Sequence, residues 1–278
     1  MTDGRLLLAA TPLGQASDAS ARLIAALSTA DVIAAEDTRK MRILATALSV
    51  RLTAKLISFF DQNEASRVPA LVDHIKAGAT VLAVSDAGMP LISDPGYRLV
   101  AECVAQGLPV TCLPGPSAVT TALAVSGLPC DRFCFEGYAP RKQAARRAWL
   151  TSMAGEERTC VFFESPRRLA ECLSDAVAVL GPSRQAVVCR ELTKVHEEIV
   201  RGTLAELTKW ADDGVLGEIT VVLAGAQPRA DLDTLVAEVG ERVDAGMRVK
   251  DACAEVVAGH RGAPSRRELY DAVLRSRG

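Results

Sequence analysis

The first 126 residues alternate between short apolar runs and amphipathic stretches, and this alternation restricts the fold more than any other feature. The apolar runs are rich in β-branched residues and have the length of buried strands, and the stretches between them carry apolar side chains at helical spacing. A strand and a helix follow one another five times. This order predicts an α/β fold with a mostly parallel sheet and helices on its faces. The predicted strands are residues 5–10, 32–35, 55–59, 80–84 and 109–112.

Four of the loops that follow these strands carry unusual chemistry. Residues 11–15, 36–40, 85–96 and 113–118 all lie at carboxyl ends of predicted strands, where open α/β sheets bind their ligands. The third loop holds two Asp, two Gly and two Pro, so proline restricts its backbone while glycine allows close approach to a ligand. An ordinary turn would explain one Gly-Pro pair, but this density favours a binding loop.

The chain divides into three predicted parts. Residues 127–129, Gly-Leu-Pro, interrupt the alternation, and we predict an N-terminal α/β domain over 1–126. A second α/β domain, whose sheet can be mixed, covers 127–226, and a linker at 226–229 leads to a helical extension over 231–278. The last two predicted helices flank a tight turn, as in a helix-turn-helix. A plain helical appendage explains that pattern equally well.

The composition excludes several classes of protein and of site. Hydrophobic residues make up 49% and charged residues 24% of the chain, as in globular proteins. The net charge of −2 offers no general attraction to nucleic acid, so any RNA contact must come from local patches. Eight cysteines without a CxxC pair and three histidines predict no metal site. We see no signal peptide and no membrane-spanning apolar run, and expect a cytoplasmic protein.

Motifs of several common catalytic sites are missing from the sequence. No G-x-G-x-x-G follows the first strand, and neither a Walker A nor a G-x-S-x-G motif occurs. What remains is a ligand held by Gly- and Pro-rich loops. This pattern favours transfer of a group that its cofactor has already activated, because the protein then mainly aligns donor and acceptor.

Basic side chains gather at two predicted loop–helix junctions in the second half. Guanidinium and ammonium groups at such places bind phosphates. A solvated surface explains each cluster alone equally well, whereas two clusters together favour a polyanionic substrate. The candidate RNA-binding residues are Arg141, Lys142, Arg146 and Arg147 in the first cluster and Arg167 and Arg168 in the second.

Taken together, these loops resemble the tetrapyrrole-methylase superfamily of S-adenosylmethionine-dependent methyltransferases. Within it they are most similar to the family of 16S rRNA cytidine ribose 2′-O-methyltransferases, which the terminal helices also resemble. Two departures are Gln15, where the family has Asn, and Met89, where Thr is common. The matching stretches are residues 11–14, 36–39, 85–96, 113–118, 163–168 and 190–197.

The resemblance implies two α/β domains with S-adenosylmethionine in the cleft between them and a small helical extension. It also implies a homodimer whose substrate is a decoding-centre cytidine of 16S rRNA in the 30S ribosomal subunit. The methionine part of the cofactor would lie on loop 85–96 and the adenine against the second domain. Carried over by position, the cofactor-binding residues are Leu13, Asp86, Gly88, Met89, Ser117, Ala118, Phe163, Leu192 and Ile219.

A ribose 2′-hydroxyl is a weak nucleophile, so a protein group must accept or relay its proton during methyl transfer. The candidates are Asp37 with Arg39 and Glu191 with Lys194, although each pair can equally be a structural ion pair. We favour Glu191 and Lys194 on the acceptor side, with Arg39 orienting phosphate. The sequence assigns no role to Asp94, and capping the helix that follows it is the most economical one.

Two other functions compete with rRNA methylation. A methyltransferase of the same superfamily could act on a small tetrapyrrole or on a protein, and a non-catalytic RNA-binding module could use the cleft only structurally. The two basic clusters and the helical tail favour RNA over a small substrate.

Overall fold

The computed structural model describes residues 4–226, 231–260 and 262–277. Its first half is a five-stranded, wholly parallel sheet with the strand order β3-β2-β4-β1-β5, which confirms the predicted α/β class. The elements are β1 (Arg5–Ala9), α1 (Ala21–Thr29), β2 (Val32–Ala35), α2 (Thr38–Ala47), β3 (Lys55–Ser58), α3 (Asp61–Lys76), β4 (Thr80–Val84), α4 (Tyr97–Ala105), β5 (Val110–Leu113) and α5 (Ala118–Ser126).

Helices cover both faces of this sheet, which is why its strands are nearly continuous apolar runs. Leu6 of β1 belongs to a core that includes α3 and α4, whereas the neighbouring Leu7 belongs to a core that includes α1 and α2. All four residues of β2 are buried. The parallel arrangement brings the carboxyl ends of all five strands, and the loops that follow them, to one edge.

The second half contains a mixed five-stranded sheet with the order β6-β7-β10-β8-β9. Strands β6 and β7 are parallel, and the remaining pairs are antiparallel. Helices α6, α7 and α8 pack on one face, while α5 from the first half packs on the other. The elements are β6 (Phe133–Tyr138), α6 (Gln143–Ser152), β7 (Thr159–Glu164), α7 (Leu169–Leu180), β8 (Gln185–Arg190), β9 (Glu198–Thr203), α8 (Leu204–Ala211) and β10 (Ile219–Leu223).

Three helices follow: α9 (Leu232–Asp244), α10 (Val249–Gly259) and α11 (Arg266–Arg277). They bury their own apolar cluster, which includes Leu235, Cys253 and Leu269. The start of α11 is a capping box, in which the Ser265 backbone N–H donates to Glu268 and the Glu268 N–H donates to the Ser265 hydroxyl.

The division into three domains stays a prediction, although each part has its own sheet or apolar cluster. Residues 227–229 of the predicted linker, and Arg261 in the turn before α11, lie outside the described residues. Within the described ranges, no helix is both long and apolar enough to cross a membrane.

A buried ion cluster ties α6 to α7. The side chain of Arg146 is 0% exposed and contacts Asp175 at 2.6 Å and the more exposed Glu171 at 2.9 Å. Arg147 donates to the same Asp175 at 2.7 Å. Burial alone would raise the pKa of Asp175, but hydrogen bonds from Arg147, Arg146 and Gln143 lower it below its ordinary value.

Asp175→Ala should lower the free energy of unfolding by about 3–5 kcal/mol, because it leaves the Arg146 charge buried without its main partner. The matched control, Glu171→Gln, removes a partner that is 59% exposed and should cost less than about 1 kcal/mol. Urea unfolding of the three proteins measures both values. Equal losses in the two variants would contradict the assigned importance of the buried pair.

Candidate active site

A cavity of about 410 Å³ lies between the loops of the first sheet and the second half of the chain. All four loops singled out in the sequence contribute to it, and strands β6, β7 and β10 provide the opposite wall. The lining residues are Leu13, Glu36, Lys40, residues 86–89 and 92–94, Ser117, Ala118, Tyr138, residues 163–166 and residues 217–220.

The first and third loops are held together by backbone bonds. The Thr11 N–H donates to the Gly88 carbonyl at 2.9 Å, and the Gly88 N–H donates back to Thr11 at 3.0 Å. Gly88 has a φ of +79°, and a Cβ atom there would lie 3.2 Å from a methyl carbon of Leu13. The positive φ and this close contact both favour glycine where the two loops cross.

The second and third loops are joined by charged groups. Asp86 accepts the Asp37 N–H at 3.0 Å and pairs with Lys40 at 2.8 Å. Glu36 accepts the Asp86 N–H at 3.2 Å. These bonds place the Glu36 and Asp86 carboxylates on the same wall of the cavity.

The wall formed by the second half is aromatic and apolar. Phe163 has its ring centroid 4.9 Å from that of Phe135 and 5.4 Å from that of Tyr138, both in edge contacts. Leu192 is 7% exposed and belongs to the apolar cluster behind this wall. The structure thus brings every predicted cofactor-binding residue to the cavity surface except Leu192, which packs behind it. The role of each residue remains a prediction.

The predicted catalytic pairs occupy different places. Arg39 is 84% exposed and pairs with Asp37 at 2.7 Å, outside the cavity lining. Asp37 also caps α2 by accepting the Arg39 N–H at 2.8 Å. The hydrogen bonds from Arg39 hold the pKa of Asp37 far below its usual range. Asp37 is therefore a poor proton acceptor, and its visible task is to cap α2.

The other pair lies at the edge of the cavity. Lys194 contacts Glu191 at 2.8 Å and the cavity residue Glu218 at 3.2 Å. Its aliphatic chain covers Gly14, where a Cβ atom would lie 2.2 Å from the Lys194 Cγ. The hydrogen bond from Lys194 lowers the pKa of Glu191. Lys194 therefore links the first loop to the second sheet and leaves Glu191 charged.

The cavity is acidic. Burial raises the pKa of both Glu36 and Glu164, and burial followed by the Glu36 charge raises the pKa of Asp94 to about 7. The lining has one ammonium group, that of Lys40, against the five carboxylates of Glu36, Asp86, Asp94, Glu164 and Glu218. Such a surface suits a ligand that combines a flat apolar part with positive charge.

Asp94 does not have the role that the sequence predicted. Helix α4 has no side-chain cap from its own N-cap residue. Instead, the carboxylate of Glu64, from α3, accepts the N–H groups of Gly96 and Arg98 at 3.0 Å each. The capping prediction for Asp94 is therefore wrong, because the N–H groups at the start of α4 already donate to Glu64, which is distant in sequence.

The candidate RNA-binding residues are only partly available. Arg141, Lys142 and Arg167 are exposed, and no ion pair involves them within the described residues. Arg168 pairs with Glu164 and donates to the Ser165 hydroxyl, beside the cavity.

Two arginines of the first cluster bind Asp175. Arg147 is half-exposed in that pair. Arg146 is wholly buried, and its inclusion in an RNA surface is wrong, since its guanidinium is enclosed by the ion cluster. Its spacing within α6 had given no sign of this.

Several cavity residues were not expected from the sequence. Glu36 and Lys40 lie in loop 36–40, which the sequence singled out, but the sequence predicted no role for either residue. Tyr138 and Glu218 lie where the sequence has no motif, and only the pairing of β6, β7 and β10 brings them to the cavity. Glu164 ends β7 immediately before the second basic cluster, which was the available signal.

The family model for tetrapyrrole (corrin/porphyrin) methylases matches residues 5–208. A relative from Mycobacterium tuberculosis (strain CDC 1551 / Oshkosh), named ribosomal RNA small subunit methyltransferase I, is 68% identical over 277 residues, covering 100% of this chain and 97% of that protein. The Thermotoga maritima protein of the same name is 44% identical over 225 residues, covering 81% of this chain and 100% of that protein.

Solved structures show the same fold at low identity. The methyltransferase CobJ superposes with a TM-score of 0.62 at 20% identity, covering 82% of this chain and 97% of its own. A uroporphyrin-III C-methyl transferase from Thermus thermophilus, complexed with S-adenyl homocysteine, gives 0.56 at 18% identity, covering 80% and 97%.

Gly217→Ala should destabilise the protein more than Gly107→Ala. Both glycines have positive φ, at +96° and +66°, so each alanine costs about 1–2 kcal/mol of backbone strain. Only at Gly217 would the Cβ also meet Glu191, 2.3 Å from its Cγ, and displace a carboxylate that accepts from Lys194 and from the Glu218 N–H. Losing those bonds adds about 1–3 kcal/mol to the loss of unfolding free energy. If chemical denaturation shows the same loss of unfolding free energy in Gly217→Ala and Gly107→Ala, the Glu191 side chain can move away without destabilising the protein.

Proposed function

This chain belongs to the tetrapyrrole (corrin/porphyrin) methylase family, and from this premise we propose that it methylates the RNA of the small ribosomal subunit. More specifically, we propose transfer of a methyl group from S-adenosylmethionine to the ribose 2′-oxygen of a cytidine in the decoding centre of 16S rRNA. The observation that carries the proposal is the 68% identity, over the full chain, with a protein named ribosomal RNA small subunit methyltransferase I.

The cavity fits S-adenosylmethionine in shape and charge. Its aromatic and apolar wall at Phe163, Ala118 and Ile219 suits the adenine. The backbone of residues 86–89 and the surrounding carboxylates suit the positively charged methionine part. When bound, the cofactor supplies a methyl group on a sulfonium, which needs no further activation. The protein's task is then to hold the acceptor hydroxyl in line and to take up its proton.

Among the candidate catalytic pairs, Glu191 and Lys194 have the better position for the acceptor side. They lie at the edge of the cavity and connect to its lining through Glu218. Their ion pair makes them positioning groups rather than proton acceptors. Asp37 and Arg39 lie outside the lining, where the exposed Arg39 can orient a phosphate.

RNA would approach along the cationic surface that begins beside the cavity. Arg167 follows the cavity residues Ser165 and Pro166 directly in sequence. Arg141 and Lys142 form the exposed start of α6, where phosphates are bound favourably. This surface compensates locally for a net charge of −2. The homodimer implied by the resemblance and the cytoplasmic location expected from the sequence stay predictions.

Labelled methyl transfer to three acceptors in parallel tests the substrate class: 30S subunits lacking the modification, naked 16S rRNA and uroporphyrinogen. We expect transfer to the 30S subunit, at a position that resists alkaline cleavage because its 2′-oxygen is blocked. Transfer to uroporphyrinogen alone would identify a tetrapyrrole enzyme. Absence of S-adenosylmethionine binding in a calorimetric titration would identify a non-catalytic RNA-binding module.

Replacing Arg141, Lys142 and Arg167 together by alanine should weaken binding to the 30S subunit. It should also flatten the plot of log binding constant against log salt concentration, by about one unit of slope for each phosphate that the variant no longer neutralises. Lys76→Ala is the matched control, since Lys76 is an exposed cation in the last turn of α3, at the opposite edge of the first sheet. Filter binding from about 50 to 200 mM salt measures both slopes. A flattened slope in the control alone would place the RNA surface elsewhere.

A further inference from the structure

Asp94 is a cavity residue without an assigned task. It lies at the far end of loop 85–96 and lines the cavity opposite Tyr138 of the second sheet. The N–H groups that begin α4 are already bound by Glu64. Ser93, beside it, has a φ of +65°, a conformation that a non-glycine residue adopts at a local cost. The Asp94 carboxylate thus borders the cavity and makes no capping contact.

The other four carboxylates of the cavity each have a compensating partner. Asp86 pairs with Lys40 and Glu218 with Lys194. Glu164 pairs with Arg168 and accepts the Ser165 N–H at 2.6 Å. Glu36 accepts the Asp86 N–H. Among the described residues, Asp94 forms no ion pair and accepts no backbone N–H, and the nearby Ser85 hydroxyl, which lies 3.3 Å from the Gly88 carbonyl oxygen, is the group that favours its charged form.

The strongest influences on Asp94 make its charged form less favourable, and Ser85 alone among them favours it. Burial has the largest effect, and the charges of Glu36, Asp86 and Asp61 act in the same direction, raising the pKa of Asp94 to about 7. Its charge in turn raises the pKa of Tyr138 across the cavity, an effect second to burial. A carboxylate of this kind takes up a proton readily near neutral pH, as general bases must.

We propose that Asp94 is the catalytic residue that accepts the proton of the acceptor hydroxyl during methyl transfer, an inference that rests on the proposed function. The hydroxyl oxygen forms its bond to the methyl carbon while the carbon–sulfur bond breaks and its electron pair leaves on sulfur. The O–H proton passes to a carboxylate oxygen of Asp94, and its bonding pair stays on the ribose oxygen. Solvent later removes the proton from Asp94 and restores the carboxylate.

The proposal gives a definite pH dependence. The base must be ionised, so the single-turnover rate rises with pH through the pKa of Asp94 and then levels off. Bound cofactor carries positive charge that favours the ionised carboxylate of Asp94. The rising limb of the pH–rate profile therefore lies at or below about pH 7. Removing a neighbouring negative charge lowers the pKa of Asp94 further. Glu36→Gln should therefore move the limb to lower pH, without abolishing it.

The decisive experiment compares single-turnover methyl transfer to 30S subunits from pH 5 to 9 in the wild-type protein and three variants. Asp94→Asn keeps the shape of the side chain but cannot accept the proton, and should be slower by about 100-fold or more on the plateau, without the limb. Asp94→Glu should recover part of the rate. Asp94→Asn removes one negative charge beside the cofactor, so calorimetry should show S-adenosylmethionine binding that is weaker but not lost, while methyl transfer falls far more, which separates proton transfer from cofactor binding.

A second measurement needs no turnover. Carbon-13 NMR of the aspartate carboxyl groups in the cofactor-free protein should show one resonance titrating near pH 7. It should be absent in Asp94→Asn and shifted to lower pH in Glu36→Gln.

An Asp94→Asn variant that transfers methyl at the wild-type rate, a wild-type profile without a limb, or loss of cofactor binding in Asp94→Asn overturns the proton-acceptor role while leaving the proposed function standing. Absence of methyl transfer by the wild-type protein to 30S subunits at every pH overturns the proposed function, and the Asp94 role with it.

Discussion

The packing of α5 against the second sheet is the contact on which the cavity depends. Helix α5 follows the last strand of the first sheet, yet its Val119, Ala122 and Leu123 belong to the apolar cluster formed by β7, β8 and β10. Leu13 from the first loop and Leu192 from the second half join the same cluster. Because burying this surface is favourable, the loop edge of one sheet is held facing the other, and a cavity forms between two elements that could not enclose one alone.

The electrostatics of the cavity follow from that juxtaposition. The first sheet contributes carboxylates at the ends of β2 and β4, where a parallel sheet collects its loops. The second contributes an aromatic wall and further carboxylates, so negative charges that are far apart in sequence share a partly buried space. Three of them form ion pairs, with Lys40, Lys194 and Arg168. The remaining excess of negative charge is what a positively charged cofactor would offset.

Much of the architecture was predictable because it depends on local pattern. Five apolar runs separated by helical spacing lead to a parallel sheet, and its loops at 11–15, 36–40, 85–96 and 113–118 contribute to the cavity as expected. The errors concern contacts between side chains and groups on different helices. Arg146 was predicted to bind RNA from its place in a basic run, but an acidic residue on the next helix encloses it. Asp94 was predicted to cap α4, but Glu64, more than thirty residues upstream, reached those donors.

The sequence by itself determined the strand and helix order, the loops that line the cavity and the family to which the chain belongs, because these are written in residue spacing and in turn-forming residues. Pairs between sequence neighbours, Asp37 with Arg39 and Glu191 with Lys194, were candidates from the sequence, but only the tertiary structure decided which charged groups of different elements pair. Pairing depends on distances between side chains that no spacing along the chain specifies, as with Asp175 for Arg146. For the same reason, only the structure shows that Asp94 lines the cavity without an ion pair among the described residues.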